Sequence, residues 1–283
     1  MSDIILDWIK VLGPIIISWP MVALLVVILF KAPLLNLIQR FTESTGSKAE
    51  LGPIKIELGS PVLPPQYRTK TPEIEKEEID LSSEIGAIGN TGPEGTTVGF
   101  AIAYAIQAAV KEKTNNIVKI SERGIYVLAK KYDEWAGEDY EGTSVTGGLQ
   151  AVLEVGAYLE KDWPYSVKAI PEPEPKATYK ISSYSELKGI EQILDALRKK
   201  KVVITTIQVT DDFNKTDKDG RVTVKLPLRT IGGKAISIVG YNAETAQFKF
   251  ANDWGTSWGL NGFGFIKDTD LIKILKSAYS LSL

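Results

Sequence analysis

The chain has 283 residues, with 33 Lys and Arg against 35 Asp and Glu, and its formal net charge of −2 gives no electrostatic basis for binding nucleic acid. It contains neither Cys nor His, which excludes disulfides, thiolate and imidazole catalysis, and Cys/His zinc sites. No spaced carboxylate motif of the EF-hand kind is present, so we predict no metal and no cofactor.

The first predicted element is an uncharged run from Val11 to Phe30, flanked by Trp8. A helix rising about 1.5 Å per residue over this run would cross the ~30 Å core of a bilayer. A buried core helix and a cleaved signal peptide are the alternatives, but Asp3 and Asp7 are atypical of a signal peptide leader. We therefore predict residues 1–31 as an N-terminal transmembrane helix with its flank.

The orientation of this helix is predicted from the basic residues that follow it, which are Lys31, Arg40, Lys48 and Lys55. The positive-inside rule places the C-terminal side in the cytoplasm. Because a span, a basic flank and a short strand resemble a bacterial membrane-anchor module, we expect a single-pass protein of a bacterial inner membrane. The sequence leaves its oligomeric state open.

Two short segments connect this helix to the rest of the chain. Residues 32–59 are predicted to hold an amphipathic helix at the membrane surface, over Ala32–Phe41, and a small strand from the alternation at Ile54–Leu58. Residues 60–80 contain several prolines and an acidic cluster and are predicted to be a semi-rigid linker.

Residues 81–283 form the predicted globular domain. Apolar spacing predicts helices over 97–113, 121–135, 142–154 and 184–201, and strands over 202–207, 222–224, 236–241, 247–250 and 262–266. A helical first half followed by an antiparallel β second half indicates the α+β class.

The turn Asn90–Phe100 is broken by glycine and proline and leads directly into the first of these helices. Free backbone N–H groups at a helix start favour negative charge, so this turn is a suitable place for a nucleophile or a bound anion. Further motifs follow in order: Gly142–Leu149 with Trp163–Tyr165, then Gly232–Tyr241, and then Asn252–Gly259 with Gly262 and Phe263.

Together these motifs resemble those of the papain-like C1 cysteine peptidases. The resemblance implies a two-lobe domain with a helical left lobe and an antiparallel β right lobe. Carried over by position, it puts Thr97 at the nucleophile, Lys234 at the base, Asn252 at the orienting Asn and Thr91 at the oxyanion Gln. Only Asn252 keeps the family's residue type, together with Trp254, which shields it in the family.

Other residues are predicted to line a peptide groove between the lobes, namely Glu94, Gly142, Thr143, Gly233 and Trp254. Simpler roles remain open for the replaced catalytic residues. Lys234 would donate to the Asn252 side-chain carbonyl or pair with Glu94, and the Thr97 hydroxyl would cap the helix.

A threonine hydroxyl is a far weaker nucleophile than a thiolate, and the family's thiol, imidazole and oxyanion amide are all replaced. The sequence therefore favours a catalytically inactive, membrane-tethered pseudopeptidase that binds or scaffolds a peptide or protein partner. The alternatives are an unusual hydrolase with a Thr97/Lys234 dyad, and a structural subunit of a membrane assembly.

Overall fold

The computed structural model describes residues 48–51, 54–57, 77–133 and 141–283. The predicted transmembrane helix, the amphipathic helix and most of the predicted linker lie outside these residues. Within the described part of the chain, no helix is both long and apolar enough to cross a bilayer. The chain divides into two compact units, residues 1–72 and 73–283.

The described part of the first unit is a small antiparallel hairpin. Strand β1 (Lys48–Leu51) pairs with β2 (Ile54–Glu57), and Leu51 lies opposite Ile54. The strand predicted at this alternation is confirmed over 54–57.

The second unit begins with a helical layer. Helix α1 (Thr97–Thr114) is buried over most of its length, α2 is Glu122–Ala129 and α3 is Val145–Glu154. The Ser121 and Ser144 hydroxyls cap α2 and α3 by accepting from the N–H groups of Gly124 and Gly147. Helix α2 ends at Ala129, earlier than the predicted 135.

The helices pack against a mixed sheet of the second unit. Its strands are β3 (Glu78–Asp80), β4 (Ser183–Glu186), β5 (Val203–Thr210), β6 (Arg221–Val222), β7 (Thr230–Asn242), β8 (Gln247–Ala251), β9 (Phe263–Lys267) and β10 (Leu275–Ser282). The strand order is β4-β10-β5-β7-β8-β9-β6, and β3 pairs with β7. The β6–β9 pair is parallel, which corrects the predicted all-antiparallel lobe.

The structure also corrects three assignments of elements. The helix predicted over 184–201 is divided into β4 and α4 (Ile190–Arg198), because Ser183–Glu186 pair with β10 and Gly189, with a φ of 82°, interrupts the chain before α4. Strand β3 lies inside the predicted linker but pairs with β7, so the folded domain begins before residue 81. Helices α5 (Asp211–Asn214) and α6 (Asp268–Ile274), and strand β10, were not predicted.

One continuous apolar core joins the helices to the sheet, and α1 lies against β7. The Ser237 hydroxyl donates to the Ala101 carbonyl at 3.1 Å, which ties these two elements together. This packing places the first residue of α1, Thr97, beside the middle of β7.

Candidate functional site

The hydroxyl of Thr97 is used in an internal contact. Thr97 is the first residue of α1, and its Oγ1 donates to the Ala235 carbonyl of β7 at 2.7 Å. Among the described residues, no backbone N–H donates to this hydroxyl, so its predicted capping role is wrong. The residue at the N-cap position is Thr96, which makes no side-chain cap bond and whose Oγ1 lies 2.6 Å from the Tyr165 hydroxyl.

The ammonium group of Lys234 is buried in an ion pair with Asp253, and it lies 4.5 Å from the centre of the Trp254 ring. Burial lowers the pKa of Lys234 from its ordinary value, and the Asp253 carboxylate opposes this shift. Both partners predicted for Lys234, the Asn252 carbonyl and Glu94, are wrong. Asp253 was not predicted as a site residue, although it replaces the Ser of the family's Asn-Ser-Trp motif.

The side chain of Asn252, the residue before Asp253, is buried at 1% exposure. Its Oδ1 and Nδ2 find no hydrogen-bond partner among the described residues, and neither does Asp253 Oδ2. The backbone N–H of Asn252 donates to the Gly262 carbonyl at 3.0 Å. Further along the same segment, Trp254 and Trp258 pack edge to face, with ring centres 5.9 Å apart.

The Thr91 side chain bonds within its own turn, whereas its backbone bonds to residues outside the turn. Its hydroxyl donates to the Gly92 carbonyl at 3.3 Å, its N–H donates to the Asp253 carbonyl at 2.8 Å, and its carbonyl accepts from the Tyr165 hydroxyl at 2.9 Å. A side chain shorter than the family's Gln is thus engaged locally. The Thr91 hydroxyl donates to Gly92 and is not directed to an oxyanion beside Thr97.

Glu94 ties the turn to α2. Its carboxylate lies 2.6 Å from a guanidinium nitrogen of the buried Arg123 and 2.9 Å from Lys168 Nζ. Lys168, which has the larger effect, and Arg123 together hold the pKa of Glu94 below its usual range. Arg123 also lies over the Tyr165 ring at 4.5 Å, so the turn is anchored from two sides.

A cavity of about 870 Å³ lies between the helical layer and the sheet. Of the predicted site residues, Thr97, Lys234, Gly142, Thr143 and Gly233 line it, whereas Thr91, Glu94, Asn252 and Trp254 are not among its lining residues. The structure therefore brings the replaced nucleophile and base to one cavity, whereas the other predicted positions do not line it.

Asp133 holds the helical wall of this cavity. Its Oδ2 accepts from the Thr143 hydroxyl at 2.7 Å and from the Ser144 N–H at 3.1 Å. Lys130 Nζ donates to the Gly142 carbonyl at 3.2 Å. These contacts fix the backbone that faces β7 across the cavity.

A buried carboxyl group on α2 leads to a prediction about pH. Burial, with a smaller contribution from the neighbouring Glu160 carboxylate, raises the pKa of Glu122 from 4.5 to about 7, although the charge of Lys119 opposes the shift. The folded state therefore binds a proton more tightly than the unfolded state does. Protonated Glu122 therefore contributes fully to the free energy of unfolding below pH 4.5, and this contribution is lost as the pH rises to about 7.

We expect Glu122→Gln to raise the free energy of unfolding at pH 8 by on the order of 2–3 kcal/mol and to flatten its decline between pH 5 and about 7. Denaturant unfolding followed by circular dichroism at several pH values would measure this effect. Exposed Glu112 of α1 supplies the control, since Glu112→Gln should leave the pH profile unchanged. A wild-type profile that rises from pH 5 to 7 would contradict the assignment.

Comparison with known proteins supports the family that the sequence motifs indicate. Residues 76–280 match the family model described as papain family cysteine protease. An uncharacterised peptidase C1-like protein of Acanthamoeba polyphaga mimivirus is 27% identical over 191 residues, which cover 61% of each chain. Peptidase 1 of Dermatophagoides farinae is 24% identical over 202 residues, covering 67% of this chain and 60% of that protein. This chain therefore spans less than two thirds of the length of either relative.

Among solved structures, xylellain, a cysteine protease from Xylella fastidiosa, superimposes with a TM-score of 0.62. The sequence identity is 20%, and the match covers 72% of this chain and 85% of xylellain. At this identity the likeness shows the fold alone.

Proposed function

The chain belongs to the papain family of cysteine proteases, and from this membership and its altered site we propose that the domain is catalytically inactive and binds a peptide or protein segment in its cavity. The observation that carries the proposal is the engagement of both replaced catalytic groups. Thr97 Oγ1 already donates to the Ala235 carbonyl, and Lys234 Nζ already donates to Asp253.

Hydrolysis in this family needs a strong nucleophile and a base to take its proton. A Thr hydroxyl is a weak nucleophile, and an ammonium group in an ion pair has no free electron pair with which to accept a proton. The hydroxyl proton of Thr97 is directed to a backbone carbonyl and not to Lys234. These contacts support a domain that keeps the family's fold but does not hydrolyse peptides.

Peptide binding is supported by the open edge of β7. Strand β7 pairs with β5 along residues 230–238, whereas β8 pairs with it only from Ser237 onward. Backbone groups alternate between the two edges of a strand. Since the Ala235 carbonyl points away from β5 to Thr97, the N–H and C=O groups of Gly233 point to the same open edge. An extended peptide could add to this edge through backbone hydrogen bonds.

One observation favours the runner-up, a hydrolase with a Thr97/Lys234 dyad. Both residues line the cavity, and burial lowers the pKa of Lys234, as general-base lysines require. The ion pair with Asp253 opposes this role, so we rank the dyad second.

We further propose that residues 1–31 tether the domain to a bacterial inner membrane, with the domain on the cytoplasmic side. The uncharged run Val11–Phe30 supports this proposal. Protease digestion of intact and lysed spheroplasts would test it, because a cytoplasmic domain becomes accessible only after lysis.

We expect the full-length chain to show no turnover of a mixed peptide and ester library, and to retain a subset of extended peptides in a fluorescence polarisation assay. Gly233→Leu should weaken that binding at least about tenfold, since it adds a side chain at the cavity wall. Gly232→Leu is the matched control, because Gly232 is the next residue of β7 but does not line the cavity.

Two results would contradict the proposal. Turnover that disappears in the near-isosteric variant Thr97→Val would establish a hydroxyl nucleophile in place of a pseudopeptidase. Equal peptide binding by the Gly233→Leu and Gly232→Leu variants would place the binding site outside this cavity.

A further inference from the structure

The sheet side of the cavity carries a row of small and hydroxyl-bearing residues. Ala235 of β7 lies opposite Thr206 of β5, and Thr206 lies opposite Ser277 of β10. Tyr279, two residues further along β10, points to the same face of the sheet and also lines the cavity. We call Thr206, Ser277 and Tyr279 the hydroxyl wall.

The hydroxyl wall differs from the rest of the lining in its hydrogen bonding. The hydroxyls of Thr97 and Thr143 are already donated to Ala235 and Asp133. Burial raises the pKa of Tyr279, and the nearby Ser277 side chain within the wall opposes this shift. Thr206 makes no hydrogen bond through its hydroxyl to any other described residue. The wall therefore keeps donors and acceptors for a ligand, since each hydroxyl can both donate and accept.

The charges around the cavity limit which ligand group this wall suits. Two charged side chains line the cavity, Lys234 and Glu141. Lys234 is already paired with Asp253, and Glu141 is exposed. The hydroxyl wall itself carries no charged residue, so a charged side chain bound against it would lose water without a counter-ion from the wall. A large apolar side chain would cover the hydroxyls and leave them unsatisfied.

We propose that the hydroxyl wall is a subsite for a carboxamide side chain, Asn or Gln, of the bound peptide. A carboxamide offers two N–H donors and one carbonyl acceptor, which match hydroxyls that donate and accept. The Val98 and Val145 side chains of the helical layer complete the pocket and contact the aliphatic part of such a side chain. This inference rests on the proposed peptide-binding function and adds the chemical class of the ligand.

The test measures binding of short labelled peptides to the full-length chain by fluorescence polarisation. The peptides are acetylated and amidated hexamers of Ala and Gly, in which each position in turn carries Gln, Leu, Lys or Glu. At one position we expect Gln to bind about tenfold more tightly than Leu, Lys or Glu. Thr206→Val should reduce the Gln-to-Leu ratio to about twofold or less, because it removes the free hydroxyl at nearly constant shape.

Thr269→Val on α6 is the matched control, since Thr269 is exposed and does not line the cavity. It should leave the ratio unchanged. Ser277→Ala serves as a second variant if Thr206→Val fails to fold, as judged by its denaturation curve. A wild-type preference for Leu, Lys or Glu, or no preference, would overturn this inference alone. A Gln preference that survives in Thr206→Val would also overturn it, whereas no binding by any peptide would overturn the proposed function as well.

Discussion

Replacing Lys234 with Met is expected to lower the free energy of unfolding by about 3–5 kcal/mol, because it leaves a buried carboxylate without its counter-ion. The side chains of Lys234 and Asp253 are only 6% and 3% exposed, so water cannot take the place of the lost ammonium. Asp253 Oδ2 already lacks a partner among the described residues, so the ion pair through Oδ1 is the main compensation for burying this charge. Urea unfolding monitored by circular dichroism would measure the loss.

The double variant Lys234→Met, Asp253→Asn should recover most of this loss, because two neutral side chains remove the buried charge from both sides. Lys225→Met is the surface control. Lys225 is 77% exposed and pairs with Asp212 at 3.2 Å, and such exposed pairs contribute about 0–1 kcal/mol. A cost for Lys234→Met no larger than that of Lys225→Met would show that the buried pair does not stabilise the fold.

Gly99→Ala is expected to lower the free energy of unfolding by about 2–4 kcal/mol, because α1 and α2 are in close contact at this residue. A Cβ at Gly99 would overlap the backbone carbonyl oxygen of Glu122 and would lie 3.4 Å from the Cβ of Tyr126. Backbone atoms cannot rotate away as a side chain can, so α1 and α2 would have to separate. Since Gly99 lies two residues after Thr97, the first turn of α1 would shift in the cavity wall as well.

The matched control is Gly232→Ala on β7. A Cβ added at Gly232 meets nothing within 4 Å, so the expected change in the free energy of unfolding is within about 0.5 kcal/mol. Thermal unfolding of both variants would test the difference. If Gly99→Ala behaves like Gly232→Ala, the helix contact is looser than the structure indicates.

Both predictions concern contacts that hold the cavity walls in place without any catalytic group. The Lys234–Asp253 pair anchors β7, and the Asp253 carbonyl accepts from the Thr91 N–H in the turn before α1. The pair thus links the sheet side of the cavity to the turn that precedes Thr97. A domain that binds without cutting still needs these walls to be rigid, because a preformed site loses less entropy on binding.

The sequence by itself determined the papain-like α+β fold and the positions of the replaced residues. Helices α1 and α3 and strands β5, β7, β8 and β9 were predicted because apolar spacing and turn residues are local properties of the chain. The motif order then identified the family, and the family match over residues 76–280 confirms it. The absence of Cys and His could be read directly from the composition.

Only the tertiary structure decided what the side chains at those positions contact. Thr97 and Ala235 are 138 residues apart in sequence, and Lys234 and Asp253 are 19 apart, so no local pattern pairs them. The sequence left Asn252 and Glu94 open as partners of Lys234, but Arg123 and Lys168 hold Glu94, and Asp253 provides the charge that the buried ammonium needs. Strand β10, with Ser277 and Tyr279 of the hydroxyl wall, was missed for the same reason, because its place between β4 and β5 depends on distant strands.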